Sequence, residues 1–85
     1  MRVTVISPER AVFDGQAEAV SATAFDGEIG ILPNHAPLMT VLGTGPLRIR
    51  TAAGGRTFLV QGGFLQVVSN TVRILAEQIS GDADA

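Results

Sequence analysis

The chain has no cysteine, no tryptophan, no tyrosine and a single histidine, His35, and all six of its basic residues are arginines. Without cysteine there is no disulfide, no thiolate zinc site and no thiol nucleophile. Eight acids against six arginines leave a net charge of −2. A nucleic-acid binder normally shows a basic stripe interleaved with aromatic stacking platforms. Here Arg48, Arg50, Arg56 and Arg73 are spaced singly along segments that read as strands, so they are expected on solvated strand faces, and no nucleic-acid partner is expected. No segment approaches the roughly 20 continuous apolar residues of a membrane span. The N-terminal run Met1–Ile6 reaches Pro8 too soon for a signal peptide. The expectation is a soluble product with no direct insertion into a membrane.

What is present is a small apolar β pattern. With 85 residues, 46% of them hydrophobic, the chain is expected to be one domain. A domain of this size buries roughly 60–65% of its unfolded surface, and its net stability is about 5 kcal/mol, so a constant partner would help it. The periodicity is two, with apolar runs of four to six residues between Gly, Pro, Asp and Asn clusters. Val3–Ser7 reads as a strand, and Ala11–Phe13 as a short one stopped by Asp14-Gly15. Glu18–Ala24 carries Val20, Ala22 and Ala24 on one face and Ala19, Ser21 and Thr23 on the other. Asp26-Gly27 marks a turn into Glu28–Leu32, where Gly30 suggests a bulge or a close backbone approach. Leu38–Leu42 is extended after an irregular Pro33–Pro37 loop. Leu47–Arg50 and Arg56–Gln61 form a hairpin around Ala53-Gly54-Gly55; Gly62-Gly63 is expected to break the chain, and Phe64–Val68 and Thr71–Ala76 form a second hairpin around Ser69-Asn70. One or both of Gly62 and Gly63 should have a positive φ or lie against another backbone. From Glu77 onward the chain should fray; the domain is expected to occupy residues 1–79, with a short disordered acidic tail at 80–85. So many short strands must hide their edges, and two packed sheets follow.

Chemistry is scarce. His35 with Asp26 and Glu28 is the one combination that could ligate a metal, but the two acids sit at a hairpin turn, where solvated carboxylates are ordinary. His35 is expected to fix the Pro33–Pro37 loop through backbone hydrogen bonds or to touch a partner. Ser7, Ser21, Ser69 and Ser80 have no neighbouring base, and Gly62-Gly63 lacks the Lys-Ser/Thr and the helix N-terminus of a phosphate loop. No catalytic residue, cofactor or metal is expected. A small-molecule binding module would need a pocket of about 300 Å³ or more, which so few large side chains could hardly line.

The run Gly27-Glu28-Ile29-Gly30-Ile31-Leu32-Pro33-Asn34-His35-Ala36-Pro37-Leu38 is the most distinctive stretch; its two prolines stiffen the loop into a fixed surface. With Val5-Ile6-Ser7-Pro8-Glu9, Val12-Phe13-Asp14-Gly15, Gln61-Gly62-Gly63-Phe64-Leu65-Gln66-Val67 and Asn70–Ala76, in order and over about residues 3 to 77, the sequence resembles the epsilon subunit of F-type ATP synthase (delta in mitochondrial naming). The resemblance implies an all-β, ten-stranded β-sandwich of two five-stranded sheets. It also implies a non-catalytic place in the central rotor, at the cytoplasmic face of a bacterial inner membrane or its organelle equivalent, between the gamma subunit and the c-ring. Residue by residue, Asp26, Gly27, Glu28 and Ile29 match positions facing the c-ring, and Ser7, His35, Ala36, Pro37, Leu38 and Met39 match positions facing gamma. Alternation allows only one of Leu38 and Met39 to point inward. Family members usually continue into a C-terminal helical hairpin that brakes ATP hydrolysis; the chain stops where those helices would begin, so that role is not carried over.

Overall fold

The computed structural model describes residues 1–81, and these contain strands, turns and loops but no helix. Seven strands follow one another: β1 (Arg2–Ile6), β2 (Ala11–Gln16), β3 (Ala19–Ala24), β4 (Gly27–Ile31), β5 (Leu38–Thr51), β6 (Gly54–Val68) and β7 (Thr71–Ser80). They join into one sheet in the order β2-β1-β7-β6-β5-β3-β4, with β2 and β4 at its edges. All neighbours are antiparallel except β1 and β7, which run parallel.

The expected all-β class holds, but the described residues form seven strands in one sheet rather than ten in two. The difference lies in continuity. Leu38–Leu42 and Leu47–Arg50 are one strand, and so are Arg56–Gln61 and Phe64–Val68, paired in unbroken register from Leu38↔Val67 to Thr51↔Gly54. Fifteen residues of straight strand would span about 50 Å, whereas the longest dimension of the molecule is 28 Å. The long strands therefore bend. Their inward faces show where: buried positions on β5 pass from Leu42 to Leu47 and Ile49, and on β6 from Phe58 and Val60 to Leu65 and Val67, so the alternation slips by one in each. Gly43 and Gly45 stand at the slip on β5, and Gly62 and Gly63 on β6. Against β3 the register of β5 shifts at the same level, between Ser21↔Arg48 and Ala24↔Leu42. Both halves of the bent sheet thus present their apolar side to one core, made chiefly of Val3, Val5, Val20, Ile31, Leu47, Ile49, Leu65, Val67, Val72 and Ile74.

Gly62 and Gly63 have φ of 76° and 127°. A β-carbon on Gly63 would meet the Leu75 carbonyl oxygen, and Ala76 Cα at 3.0 Å. The expected close approach is found, although the glycines bend the strand instead of ending it. Gly30 is a correction: its register with Ser21 is regular, and nothing lies within 4 Å of where its side chain would be.

Two other local expectations are overturned by pairing. Asp14-Gly15 is not a turn; both lie inside β2, opposite Thr4 and Val3. The Asp14 carboxylate accepts two hydrogen bonds from the Arg2 guanidinium, at 3.0 and 2.9 Å, so it needs no turn backbone to satisfy it. Glu77–Ser80 does not fray: Gln78, Ile79 and Ser80 pair with Gln61, Val60 and Leu59, with Ile79 packed on the core. The expected tail at 80–85 falls, from Asp82 on, outside the described residues. The turn at Ser69-Asn70 stands where the dipeptide placed it, with both residues in the left-handed region at φ of 51° and 59°, the geometry of a type I′ hairpin. The turn expected at Asp26-Gly27 lies one residue earlier, at Phe25-Asp26, because Gly27 already pairs with Ala24 as the first residue of β4.

The hydrogen bond and charge of Arg2 hold the Asp14 carboxyl below the usual carboxylate range. A depressed folded-state pKa means that the pair stabilises the fold above the unfolded carboxylate pKa, near 4, and that this is lost as pH falls through the folded value. Both side chains are exposed, so the effect is small and screened by salt. Asp14→Asn should melt slightly below the parent at pH 7 and low salt, and level with it at pH 2. A gap that persists in acid would mean that charge pairing is not what Asp14 contributes.

Candidate interaction surface

The polar residues singled out in the sequence do not converge. Among the described residues, no three His, Asp or Glu side chains gather closely enough to hold a metal ion. His35 lies exposed in the loop after β4; its Nδ1–H donates to the Ala36 carbonyl at 2.7 Å, and its backbone N–H to the Leu32 carbonyl at 3.2 Å. Asn34, at φ of 66°, donates its N–H to Asn70 Oδ1 at 2.7 Å, tying this loop to the β6–β7 turn. The loop is therefore a fixed edge. Ser7 is only 7% exposed. Its hydroxyl donates to the Arg10 carbonyl at 3.1 Å and accepts from the Arg10 N–H at 3.3 Å, closing the Pro8-Glu9 turn. Asp26, Gly27 and Glu28 are exposed at the β3–β4 tip, while Ile29 faces inward against the core. Ala36 and Pro37 are exposed. Of the next two residues, Leu38 packs against the core and Met39 points out, as the alternation requires.

Met39 leads to a feature that the polar candidates did not indicate. On the outer face of the sheet, Val41 lies opposite Phe64, Phe64 opposite Leu75, and Leu75 opposite Ile6. Phe25, in the turn just after β3, joins the same row: its N–H donates to the Val41 carbonyl at 3.0 Å. Phe25, Met39, Val41, Phe64 and Leu75 are between 47% and 70% exposed. Four neighbouring strands and the turn after β3 thus carry one apolar row across the outside of the sheet. At about 4.8 Å per strand it is about 19 Å long. A shallow groove of about 380 Å³ runs beside it, lined by Met39, Phe64, Gln66, Arg73 and Leu75, and another of about 450 Å³ lies toward Ile6, Pro8 and Gly63. Contiguous exposed apolar surface of this kind marks contact with another macromolecule. The signal was legible in one respect: Leu38–Leu42, Phe64–Val68 and Thr71–Ala76 have large apolar residues on both alternating sets, more than one core can absorb.

A larger depression, about 810 Å³, is an open trough over β3, β5 and the β5–β6 turn. It exceeds the volume that large side chains were expected to enclose, and small residues, Ala19, Ser21, Gly30 and Gly55, line it together with Arg48 and Arg50. Of the four strand arginines, Arg48, Arg50 and Arg73 are exposed as expected, whereas Arg56 is half-buried, 5.5 Å from the Phe13 ring centre and 5.7 Å from that of Phe58.

A bent all-β sheet with an apolar outer row and no gathered polar site among the described residues defines a small β domain with a docking face. The family model of the ATP synthase delta/epsilon chain β-sandwich domain matches residues 1–81, and the chain belongs to that family. It is 49% identical over 87 aligned positions to the ATP synthase epsilon chain of Brevibacillus brevis, covering 99% of this chain and 66% of that protein. It is 45% identical to that of Micrococcus luteus, covering 100% of this chain and 96% of the relative. The chain spans 57 to 66% of the length of several curated relatives it matches. Among solved structures it superposes on a chain of the Tetrahymena thermophila mitochondrial ATP synthase central stalk and c-ring, with a TM-score of 0.78, 27% identity, and coverage of 93% of this chain and 64% of that one.

Proposed function

We propose that the chain is a non-catalytic subunit of the central rotor of an F-type, proton-translocating ATP synthase, joining the gamma subunit to the c-ring so that ion flow and ATP synthesis stay coupled. The observation that carries this reading is the exposed apolar row, on a domain whose relatives are ATP synthase epsilon chains. Gamma covers the row together with the stiff edge His35, Ala36, Pro37, Leu38 and Met39; Ser7 supports that face by holding the β1–β2 turn. The c-ring meets the β3–β4 tip at one end of the row, where Asp26, Gly27 and Glu28 are exposed beside Phe25 and Ile29 anchors the strand behind them. The site of action is the membrane surface, on the cytoplasmic side in a bacterium, reached through partners; among the described residues no helix is long and apolar enough to cross a membrane. With no helix in residues 1–81, the reading is confined to docking and coupling.

Affinity purification of the tagged chain from detergent-solubilised membranes tests it: gamma and c subunits should be retained together. Recovery of the chain alone, or with unrelated proteins, would refute it. His35→Asp gives a finer test. The aspartate cannot donate to the Ala36 carbonyl, but Asn34–Asn70 still holds the loop, so folding should weaken by about 0.5 kcal/mol. At the rim of the gamma contact the new carboxylate should cost about 1 kcal/mol of binding. Outright unfolding would make His35 a folding residue, and unchanged gamma retention would move the contact elsewhere.

A further inference from the structure

The apolar row has one charge built into its margin. Arg73 stands between Gln66 and Thr4 in the row next to it, and Met39 lies beyond Gln66. Its side chain lines the groove of about 380 Å³ whose other walls are Met39, Phe64, Gln66 and Leu75. Two ion pairs of the sheet are Arg2–Asp14 and Arg50–Glu18. Arg73 is in neither, and its strand neighbours Gln66 and Thr4 carry no charge.

A partner that covers Phe64, Leu75 and Met39 necessarily covers this guanidinium. If the covering surface were wholly apolar, a charge would be taken out of water without compensation, a cost that exceeds the gain from nearby hydrophobic contact. A carboxylate reaching the groove would instead form a charge-assisted, bidentate pair, strengthened by the apolar walls and partly sheltered from salt. We infer that Arg73 sets which partner sequence the row accepts: the apolar segment of the rotor partner docked there carries an acidic side chain that enters the groove between Met39, Phe64 and Leu75. Arg73 therefore acts as a specificity residue, favouring an acidic complement and rejecting an apolar or basic one at that point. This inference rests on the rotor reading above and adds the chemistry of the partner.

The test uses the tagged chain assembled with the other rotor subunits of its own organism, with retained gamma measured across a salt series. Arg73→Glu should lower apparent affinity about tenfold. Arg73→Gln should flatten the salt dependence, and Arg73→Lys should keep most of the binding. Arg48→Glu, on the outer face of the other half of the sheet, should bind like the parent, and all four proteins should melt with the parent. Replacing the matching acid of gamma by lysine should restore binding to Arg73→Glu. Parent-like binding by Arg73→Glu, or equal loss with Arg48→Glu, would overturn the inference. If Phe64→Thr loses gamma while Arg73→Glu keeps it, the rotor reading stands and the acidic complement alone falls. If the parent chain itself retains no gamma, the reading fails and the inference with it.

Discussion

Gly63→Ala is expected to lower the melting temperature of the domain by about 12–24 °C, because it should destabilise the fold by about 3 kcal/mol. Two costs act at once. A φ of 127° is one that L side chains rarely adopt. The new methyl would also press on the Leu75 carbonyl oxygen and on Ala76 Cα of the adjacent strand, neither of which is the free end of a flexible side chain. Gly62→Ala should cost less, about 1 kcal/mol, because the obstacle to its β-carbon is the exposed Glu77 side chain, which can turn away. Gly30→Ala should be neutral or slightly stabilising, since its site is open and Ala restricts the unfolded chain more than Gly. Thermal melts of the three variants by circular dichroism give the order 63, 62, 30. A Gly63→Ala protein that melts within about 3 °C of the parent would mean that the bend of β6 does not depend on that backbone contact.

That order also separates what the sequence could and could not say. Alternation separated Val20, Ala22 and Ala24 of β3 from Ala19, Ser21 and Thr23, and the structure buries the first set, because burial of every second residue leaves a direct trace in the order of residues. Dipeptides with a strong left-handed tendency, such as Ser69-Asn70, placed turns correctly. The same local reasoning failed where a distant partner decided the outcome. Asp14-Gly15 looks like a turn until Arg2, twelve positions away, is found bonded to the carboxylate. Gly62-Gly63 looks like a break because glycine weakens a strand, yet Gly43 and Gly45 stand near the same level on β5 and let both strands bend with their ladder intact. Glu77–Ser80 looks like a tail until Val60 is found opposite Ile79. Of the site, the motif positions were legible but the surface was not. His35 was prominent as the only histidine, whereas Phe25, Val41, Phe64 and Leu75 are unremarkable in sequence and become one row only through the registers of three strands and the turn after β3.

Phe64 stands in the middle of that row, and Phe64→Thr is expected to weaken retention of gamma about 100-fold while leaving the domain folded. The two effects separate for a physical reason. Phe64 faces outward and is half exposed in the free domain. Losing it therefore removes only part of an aromatic's burial, and threonine brings a β-branched side chain that suits a strand interior. Folding should change by about 1 kcal/mol or less. In the complex the same ring would be fully covered between Val41 and Leu75, near the centre of the contact, where aromatic side chains dominate binding. Losing it there should cost about 2–4 kcal/mol, and 2.7 kcal/mol corresponds to 100-fold. Leu59→Thr is the matched control: Leu59 is also exposed on β6, but it lies beyond the bend and outside the row. Titration of gamma against the three proteins, with melting curves on the same samples, checks the prediction. Equal losses for Phe64→Thr and Leu59→Thr would reduce the row to ordinary exposed surface. A selective loss at Phe64, with both variants folded, would identify the outer row as the face by which this domain is held in the rotor.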